Sequence, residues 1–426
     1  MRPAGAPAGK VYVVGAGLAG LSAAVSLASR GAAVTLIEAS AQAGGRCRSY
    51  FDPVLGMTID NGNHLVLSGN DATFAYLRAI GAEDRLIGPD EARLDFLDRR
   101  DGARWAIRAN DGPIPWWLAS PFRRVAGTKL PDYLSLLPLL SPRSGRTVGE
   151  VLSCEGVLWD RLLGPFLLAA LNTDPAEASA TIAGAVIRRS LARGGRAYQP
   201  RIAHPTLAAA FVEPASKWLR ERGVEIQFGR PVRSLGFDRW RVTSLLSAED
   251  EIAVQPGDSV VVAVPPWIAR DLVPGLIAPE RFNAIVNAHF ALAPPPGAAP
   301  IVGVIGGTAE WVFAFPDRLS VTVSAADALA NDDREDLAAR LWADVAAVHA
   351  LAGPPPPSRI IKERRATFAA TPEENRKRPP ATTAWRNLFL AGDWTATGLP
   401  ATIEGAISSG VVAADQVRRH RGDMLG

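Results

Sequence analysis

From Val11 to Ser29 the chain reads VYVVGAGLAGLSAAVSLAS, nineteen residues without a charge between Lys10 and Arg30. Its length alone would admit a membrane span or the core of a secretory signal, since about 20 apolar residues cross a bilayer. The order of residues inside it points elsewhere. Lys10–Val14 reads as a short buried parallel strand, and Gly15, Gly17 and Gly20 follow in G-x-G-x-x-G spacing. Leu21 to Arg30 reads as a helix of small residues stopped at Gly31, and Ala33–Ile37 as a second strand closed by Glu38. Strand, glycine turn, helix, strand and acid within about thirty residues form the dinucleotide-binding pattern. Gly15 permits the tight turn, Gly17 lets the backbone approach a pyrophosphate, and Gly20 lets helix and strand pack closely. Leu18 and Ala19, within the glycine turn, join the expected cofactor contacts, and the free N–H groups and positive dipole end of the helix that follows meet the phosphate charge. Glu38, with Ala39 beside it, accepts hydrogen bonds from ribose hydroxyls and disfavours the 2′-phosphate of NADP.

A chain of 426 residues is too long for one simple core and predicts two domains, with interleaving as one arrangement. Apolar content of 48% with 21% charged residues suits an ordinary globular protein. The net charge of +3 and the scatter of Lys and Arg exclude a nucleic-acid surface. Two distant cysteines, Cys47 and Cys154, make no disulfide framework and predict a reducing, cytoplasmic setting. Five scattered histidines show no ligand spacing, so no metal is expected. Met1–Gly9 reads as a flexible tail.

The residues after Glu38 choose between FAD and NAD. In Ala43-Gly44-Gly45-Arg46 a glycine pair lets the chain turn under a phosphate, with Arg46 able to pair with it. Far downstream, Asn387–Asp393 reads as a buried strand ending in Gly392-Asp393. Gly398–Ala406, with Ala401, Thr402 and Ile403, then opens a helix to about Arg418. A second helix N-terminus is thus prepared for an anionic group such as the pyrimidine end of a flavin. Asp393 reads as a holder of the ribityl chain or pyrophosphate. Together the fingerprint, the Gly-Gly-Arg and the C-terminal Gly-Asp with Ile-Glu-Gly-Ala resemble the FAD-dependent amine oxidase and isoprenoid desaturase superfamily. The resemblance implies FAD and an α/β fold, in which a Rossmann-like FAD-binding domain is interleaved with an α+β substrate domain. The FAD domain would take residues 1–90, 205–275 and 358–426, and the substrate domain 91–204 and 276–357. Gly257–Pro265 resembles an internal strand of the FAD domain. Val224–Val232 resembles the segment whose backbone meets the adenine, which adds Val232 to the cofactor contacts.

Met57–His64 is the sharpest local feature. Asp60-Asn61-Gly62 reads as a turn, and the superfamily passes this segment beside its flavin, so Asn61, Gly62 and Asn63 join the expected cofactor contacts. The Asp-Asn-Gly-x-His form resembles the squalene-associated branch, the hydroxysqualene dehydroxylases of bacterial hopanoid synthesis. Asn63 departs from the Gln usual there. Thr402 stands where amine oxidases carry an aromatic cage residue. The branch implies that the allylic hydroxyl of a C30 isoprenoid, hydroxysqualene, is replaced by hydride to give squalene. A proton donor must then help water leave, and His64 or Asp60 is expected in that role. The alternative is that Asp60 caps the turn while His64 contacts flavin or core. Trp394 either lines the substrate pocket or packs on the sheet, and Phe166, in the apolar helix Trp159–Leu171, is core or channel wall. An FAD desaturase or amine oxidase, and an FAD-binding scaffold that hands lipid between pathway enzymes, are the competing readings. Pro113–Leu118 with Phe122-Arg123-Arg124 suits either a peripheral contact with the inner membrane face or a proline-rich loop folded on the core. Thr147–Glu150 reads as a capping box, and Asp332–His349 as an amphipathic helix.

Overall fold

The computed structural model describes residues 9–425, so all of the expected tail but Gly9 lies outside the described residues. The opening stretch folds as strand, turn and helix: β1 is Val11–Val14, α1 is Leu18–Ala28 and β2 is Val34–Ile37. β1 is the middle of five parallel strands, ordered Glu225–Gln227, β2, β1, Ser259–Val262 and Leu388–Leu390. Central strands buried on both faces explain why VYVV, VTLI, SVVV and LFL carry no charge. α1 packs against the long C-terminal helix Ile403–Leu425. That helix ends later than Arg418. Gly410 lets the two helices touch, because a Cβ there would lie 2.3 Å from the Ala19 carbonyl. No helix among the described residues is long and apolar enough to cross a membrane.

A second sheet has seven strands, in the order Ser358–Phe368, Phe282–Phe290, Leu319–Val323, Trp311–Ala314, Ile301–Ile305, Arg93–Asp98 and Arg104–Arg108. All its pairings are antiparallel except Ile301–Ile305 with Arg93–Asp98. Side chains alternate between its faces. Val286, Ala288, Phe290, Val312, Val321 and Val323 face the helix Arg334–His349, whose N-terminus is capped by Asp333. Phe96, Trp311 and Phe313 lie on the other face under an apolar layer that includes Trp117, Tyr133, Leu162 and Leu163.

Three expectations change. Ser358–Phe368 pairs along its length with Phe282–Phe290, so the chain leaves the seven-stranded sheet after Phe368 rather than at 358. Its charge-rich sequence hides a strand whose partner lies far away in the chain. At Thr147–Glu150 the reciprocal capping bonds form, Thr147 N–H to Glu150 at 2.8 Å and Glu150 N–H to Thr147 at 3.2 Å, but they close a turn and no helix follows. Within Trp159–Leu171 the first turn, Trp159–Leu163, is widened before the α-helix Gly164–Leu171. Pro165 has no N–H to bond back by four residues, and the widened turn takes up the mismatch. The same widening precedes Pro214, at Ala208–Val212.

Candidate active site

The glycine turn leaves an open cradle at the N-terminus of α1. Gly15 takes φ +103°, and a Cβ there would sit 2.6 Å from the Ala263 carbonyl. A Cβ on Gly20 would lie 1.8 Å from the Gly15 carbonyl, whereas one on Gly17 would meet nothing within 4 Å. Gly17 is the N-cap of α1, with no side-chain cap and no acid in the first turn, so the helix amides at Leu18 and Ala19 face unclaimed space. Gly44 lies beside Gly17 and donates its N–H to the Ala16 carbonyl at 2.8 Å. Gly45 follows at φ +57°. The Glu38 carboxylate accepts from Ala16 N–H at 2.7 Å and Ser40 N–H at 2.8 Å, with Ala39 exposed beside it. Glu38 N–H donates to Gln227 and its carbonyl accepts from Arg230, which brings the segment ending at Val232 to this shoulder. The open face at Gly17, bare helix amides and an acid at the strand end suit a dinucleotide with free ribose hydroxyls.

Arg46 and Asp393, far apart in sequence, meet. Arg46 Nη2 bonds both Asp393 oxygens, at 2.8 and 2.7 Å, and Nη1 bonds the Ala366 carbonyl at 2.5 Å. Burial alone would lower the Arg46 pKa, but Asp393 and Glu363 outweigh it and push it up. The Gly-Gly-Arg turn, the Gly-Asp strand end and the long strand of the second sheet are thereby fastened together. Arg46 was expected to meet a phosphate; here its fork is engaged by a carboxylate. Gly392, at φ +153°, donates its N–H to Ser409 Oγ at 2.8 Å. Thr402 caps the C-terminal helix by accepting from Gly405 N–H at 3.1 Å, between half-buried Ala401 and buried Ile403. Glu404 turns away and accepts from Ala72 N–H, Thr73 N–H and Thr73 Oγ, so it caps the helix Asp71–Ile80.

Trp394 is a correction to one of its two readings. Its side chain is 1% exposed and its indole N–H donates to the Val264 carbonyl at 3.0 Å, so it packs on the parallel sheet and lines no open cavity. Phe166 is half-buried and touches the apolar clusters under both sheets, which keeps it at the boundary where a wall residue would stand.

The Asp60–His64 segment crosses the polar end of the seven-stranded sheet. Asp60 is 2% exposed; its carboxylate accepts from Ser49 Oγ at 2.6 Å and Leu207 N–H at 2.9 Å, and lies 3.5 Å from Arg318. Burial pushes its pKa up against those bonds. Neither bond lies within its own turn, so Asp60 does not cap that turn; its carboxylate is fastened to Ser49 and to the start of the segment at Leu207, which also sets it apart from a proton donor to substrate. Asn61 Nδ2 reaches Glu363 at 3.3 Å. Gly62 passes so close to Asn287 that a Cβ would lie 2.9 Å from its amide nitrogen. Asn63 is buried and donates from Nδ2 to the Val321 carbonyl at 3.1 Å and Thr322 Oγ1 at 3.2 Å. In this structure it holds the sheet. His64 keeps part of its surface open. Burial lowers its pKa to about 4, with the charge of Arg46 adding to the fall, so its imidazole is neutral at pH 7.

Beneath this segment lies a polar row not anticipated from sequence. Asn287 accepts from Thr322 Oγ1 at 2.7 Å and from Asn63 N–H at 3.3 Å, while His289 contacts Ser320 Oγ at 2.8 Å and the Asp60 carbonyl at 3.0 Å. Burial and Arg318 lower the His289 pKa to about 3. Arg318 is 2% exposed and stacks over Phe315, with its centre 4.0 Å from the ring. The signal was available: Asn287 and His289 in FNAIVNAHF, and Ser320 and Thr322 in LSVTV, stand two apart in otherwise apolar runs.

The profile of the family described as flavin containing amine oxidoreductase matches residues 18–418. A protein named hydroxysqualene dehydroxylase from Rhodopseudomonas palustris is 52% identical over 96% of this chain and 98% of its own length. One of the same name from Zymomonas mobilis is 47% identical over 96% and 99%. Cyclohexylamine oxidase from Brevibacterium oxydans superposes with a TM-score of 0.70 at 17% identity, covering 99% of this chain and 100% of that one. At that identity the likeness speaks for the fold alone.

Proposed function

The chain belongs to the flavin-containing amine oxidoreductase family, and from that premise we propose that it reductively removes the hydroxyl of hydroxysqualene to give squalene. The observation that carries the reading is identity of 47–52% to two proteins of that name, across nearly the whole of each chain. FAD is the cofactor. The residues that would hold it are Gly15, Gly17, Gly20, Glu38, Ala39, Gly44, Gly45 and Val232 at the dinucleotide end. Arg46, Asn61, Gly62, Gly392, Asp393, Ala401, Thr402 and Ile403 stand toward the other end. When bound and reduced, FAD supplies hydride equivalents.

The chain's own residues supply the rest. Half-buried Phe166, at the edge of the apolar layer on the seven-stranded sheet, would offer an apolar wall for a C30 chain and help exclude water from the carbon that loses its hydroxyl. Its aromatic face would favour a developing allylic cation. Between the two proton-donor candidates, His64 has the open surface and Asp60 is buried against Ser49, Leu207 and Arg318. With its pKa lowered to about 4, His64 would hydrogen-bond the substrate hydroxyl when neutral and pass it a proton taken up from solvent, so that the hydroxyl leaves as water and the hydride replaces it on carbon. The substrate is water-insoluble, and we propose that it is met at a lipid surface.

The test is an anaerobic half-reaction. The flavoprotein is photoreduced and mixed with hydroxysqualene. Re-oxidation of the flavin together with squalene in the mass spectrum is the expected result. A flavin that stays reduced would sink the proposal.

A further inference from the structure

One surface exposes an unusual concentration of large apolar side chains. Ile114 is 75% exposed, Phe122 92%, Leu134 62%, and Trp116, Leu130 and Leu137 each exceed half. All six belong to one segment, residues 114–137. A monomer leaves such residues singly exposed without consequence, but a contiguous group marks a docking surface.

The segment is held in place from behind. Trp117, Leu118, Val125, Tyr133 and Leu139 are buried. Trp117 meets Tyr133 edge-on at 6.0 Å, and the Tyr133 hydroxyl accepts from Val125 N–H at 3.0 Å. The inward residues therefore pin the two halves of the segment against each other, and their neighbours are forced outward. Along the 3-10 turn Leu130–Leu136 and the short helix Leu137–Leu140, the inward residues Tyr133, Leu136 and Leu139 recur every three positions, and Leu130, Leu134 and Leu137 stay exposed. Val157, 42% exposed, adjoins Gly127 and widens the patch.

Charge names the occupant. Between residues 114 and 137 stand Arg123, Arg124 and Lys129 against one acid, Asp132, while Glu91 and Asp111 line the depression beside Ile114 and Trp116. Arg123 lies over the Trp116 ring, 4.9 Å from its centre. An indole with a cation beside it and apolar tips beyond it is the arrangement that sits at the headgroup level of a bilayer, with each cation drawn to anionic lipid. The inner side of this segment belongs to the apolar layer over the aromatic end of the seven-stranded sheet. We infer that residues 114–137 form a docking surface for an anionic lipid bilayer, with Ile114, Trp116, Phe122, Leu130, Leu134 and Leu137 inserting and Arg123, Arg124 and Lys129 meeting lipid phosphates. This deepens the proposed function and rests on it only for the reason the enzyme goes to lipid.

The FAD-loaded full chain is floated with vesicles of phosphatidylethanolamine mixed with phosphatidylglycerol, and separately with phosphatidylcholine vesicles. It should float with the first, less so as salt rises, and poorly with the second. Phe122→Ser with Leu134→Ser should cut flotation by about tenfold or more, and Arg123→Glu with Lys129→Glu should abolish the preference for phosphatidylglycerol. Both variants should keep full flavin content and wild-type turnover of detergent-dispersed hydroxysqualene. If the wild type floats with neither vesicle, or the double serine variant floats unchanged, the docking surface is refuted. Wild-type flotation without conversion of hydroxysqualene would refute the proposed substrate and leave the docking surface standing.

Discussion

Replacing Gly17 and Gly20 by alanine, one at a time, separates what the glycine turn does for the cofactor from what it does for the fold. On Gly20 the new methyl would lie 1.8 Å from the Gly15 carbonyl and 3.3 Å from the Ala263 side chain. Helix and strand must part by more than about 1 Å for it to fit, and overpacking of that kind costs about 3 kcal/mol or more. On Gly17 the methyl meets nothing within 4 Å, and the residue's φ of −70° suits alanine. Losing glycine at an N-cap costs a few tenths of a kcal/mol to about 1, and the stiffer unfolded chain returns about 0.4–1, so the net change is about 0.5 kcal/mol at most. The same methyl points into the cradle where the pyrophosphate must approach the helix amides. Weakening one charged hydrogen bond there removes about 2–3 kcal/mol, roughly a hundredfold in Kd. The assay is paired: urea unfolding of the FAD-stripped protein, and FAD affinity by fluorescence titration. Gly17→Ala should unfold like the wild type and bind FAD roughly a hundredfold more weakly, while Gly20→Ala should fail in both. If Gly17→Ala kept wild-type affinity, or lost as much stability as Gly20→Ala, the cradle would be misplaced.

Asp60→Asn removes one of the two carboxylates beside the buried Arg318, which keeps Asp317 at 2.9 Å, and disturbs the bonds from Ser49 and Leu207. Stability should fall by about 1–3 kcal/mol in urea unfolding, while turnover per bound FAD stays within about twofold; a loss of turnover at full flavin occupancy would restore Asp60 as the acid. His64 and His289 have folded pKa values lowered to about 4 and about 3. The unfolded chain therefore binds more protons below the ordinary value of about 6.5, and stability should drop as pH falls from 6.5 toward 4. In His64→Gln that slope should flatten in urea midpoints between pH 7 and 4.5, and an unchanged slope would show that the imidazole is not buried as described. Asp393→Asn removes the charge that grips Arg46. Because Arg46 is 41% exposed, the stability loss should stay near 1 kcal/mol, but purified protein should carry substoichiometric FAD, which the ratio of flavin to protein absorbance reports.

What could be read from the sequence was whatever a local pattern enforces. The order of residues around Gly15, Gly17 and Gly20 sufficed because the positive φ of Gly15 and the close approach of Gly20 to the Gly15 carbonyl are set within the turn itself, and the structure puts β1, α1 and β2 within three residues of the expected places. The long-range consequences of the same motifs were not legible. Nothing local in Gly44-Gly45-Arg46 says that its guanidinium will reach Asp393, nor does Ile403-Glu404-Gly405-Ala406 say that its acid will cap a helix beginning at Asp71. Such pairings are decided by how the sheets pack, and a single sequence carries no record of that. The polar row Asn287, His289, Ser320 and Thr322 stands between these cases. Its alternation with valine and alanine marks one face of each strand as polar, but a buried polar face needs a partner to satisfy it. The partner is the Asp60–Asn63 turn, drawn from another part of the chain. That dependence explains why Asp60 read convincingly as a reacting group. An acid in an Asp-Asn-Gly turn near a flavin has the chemistry for catalysis, and only the bonds from Ser49 and Leu207 to one of its oxygens, with Arg318 beside the other, reveal that it fastens segments distant in the chain.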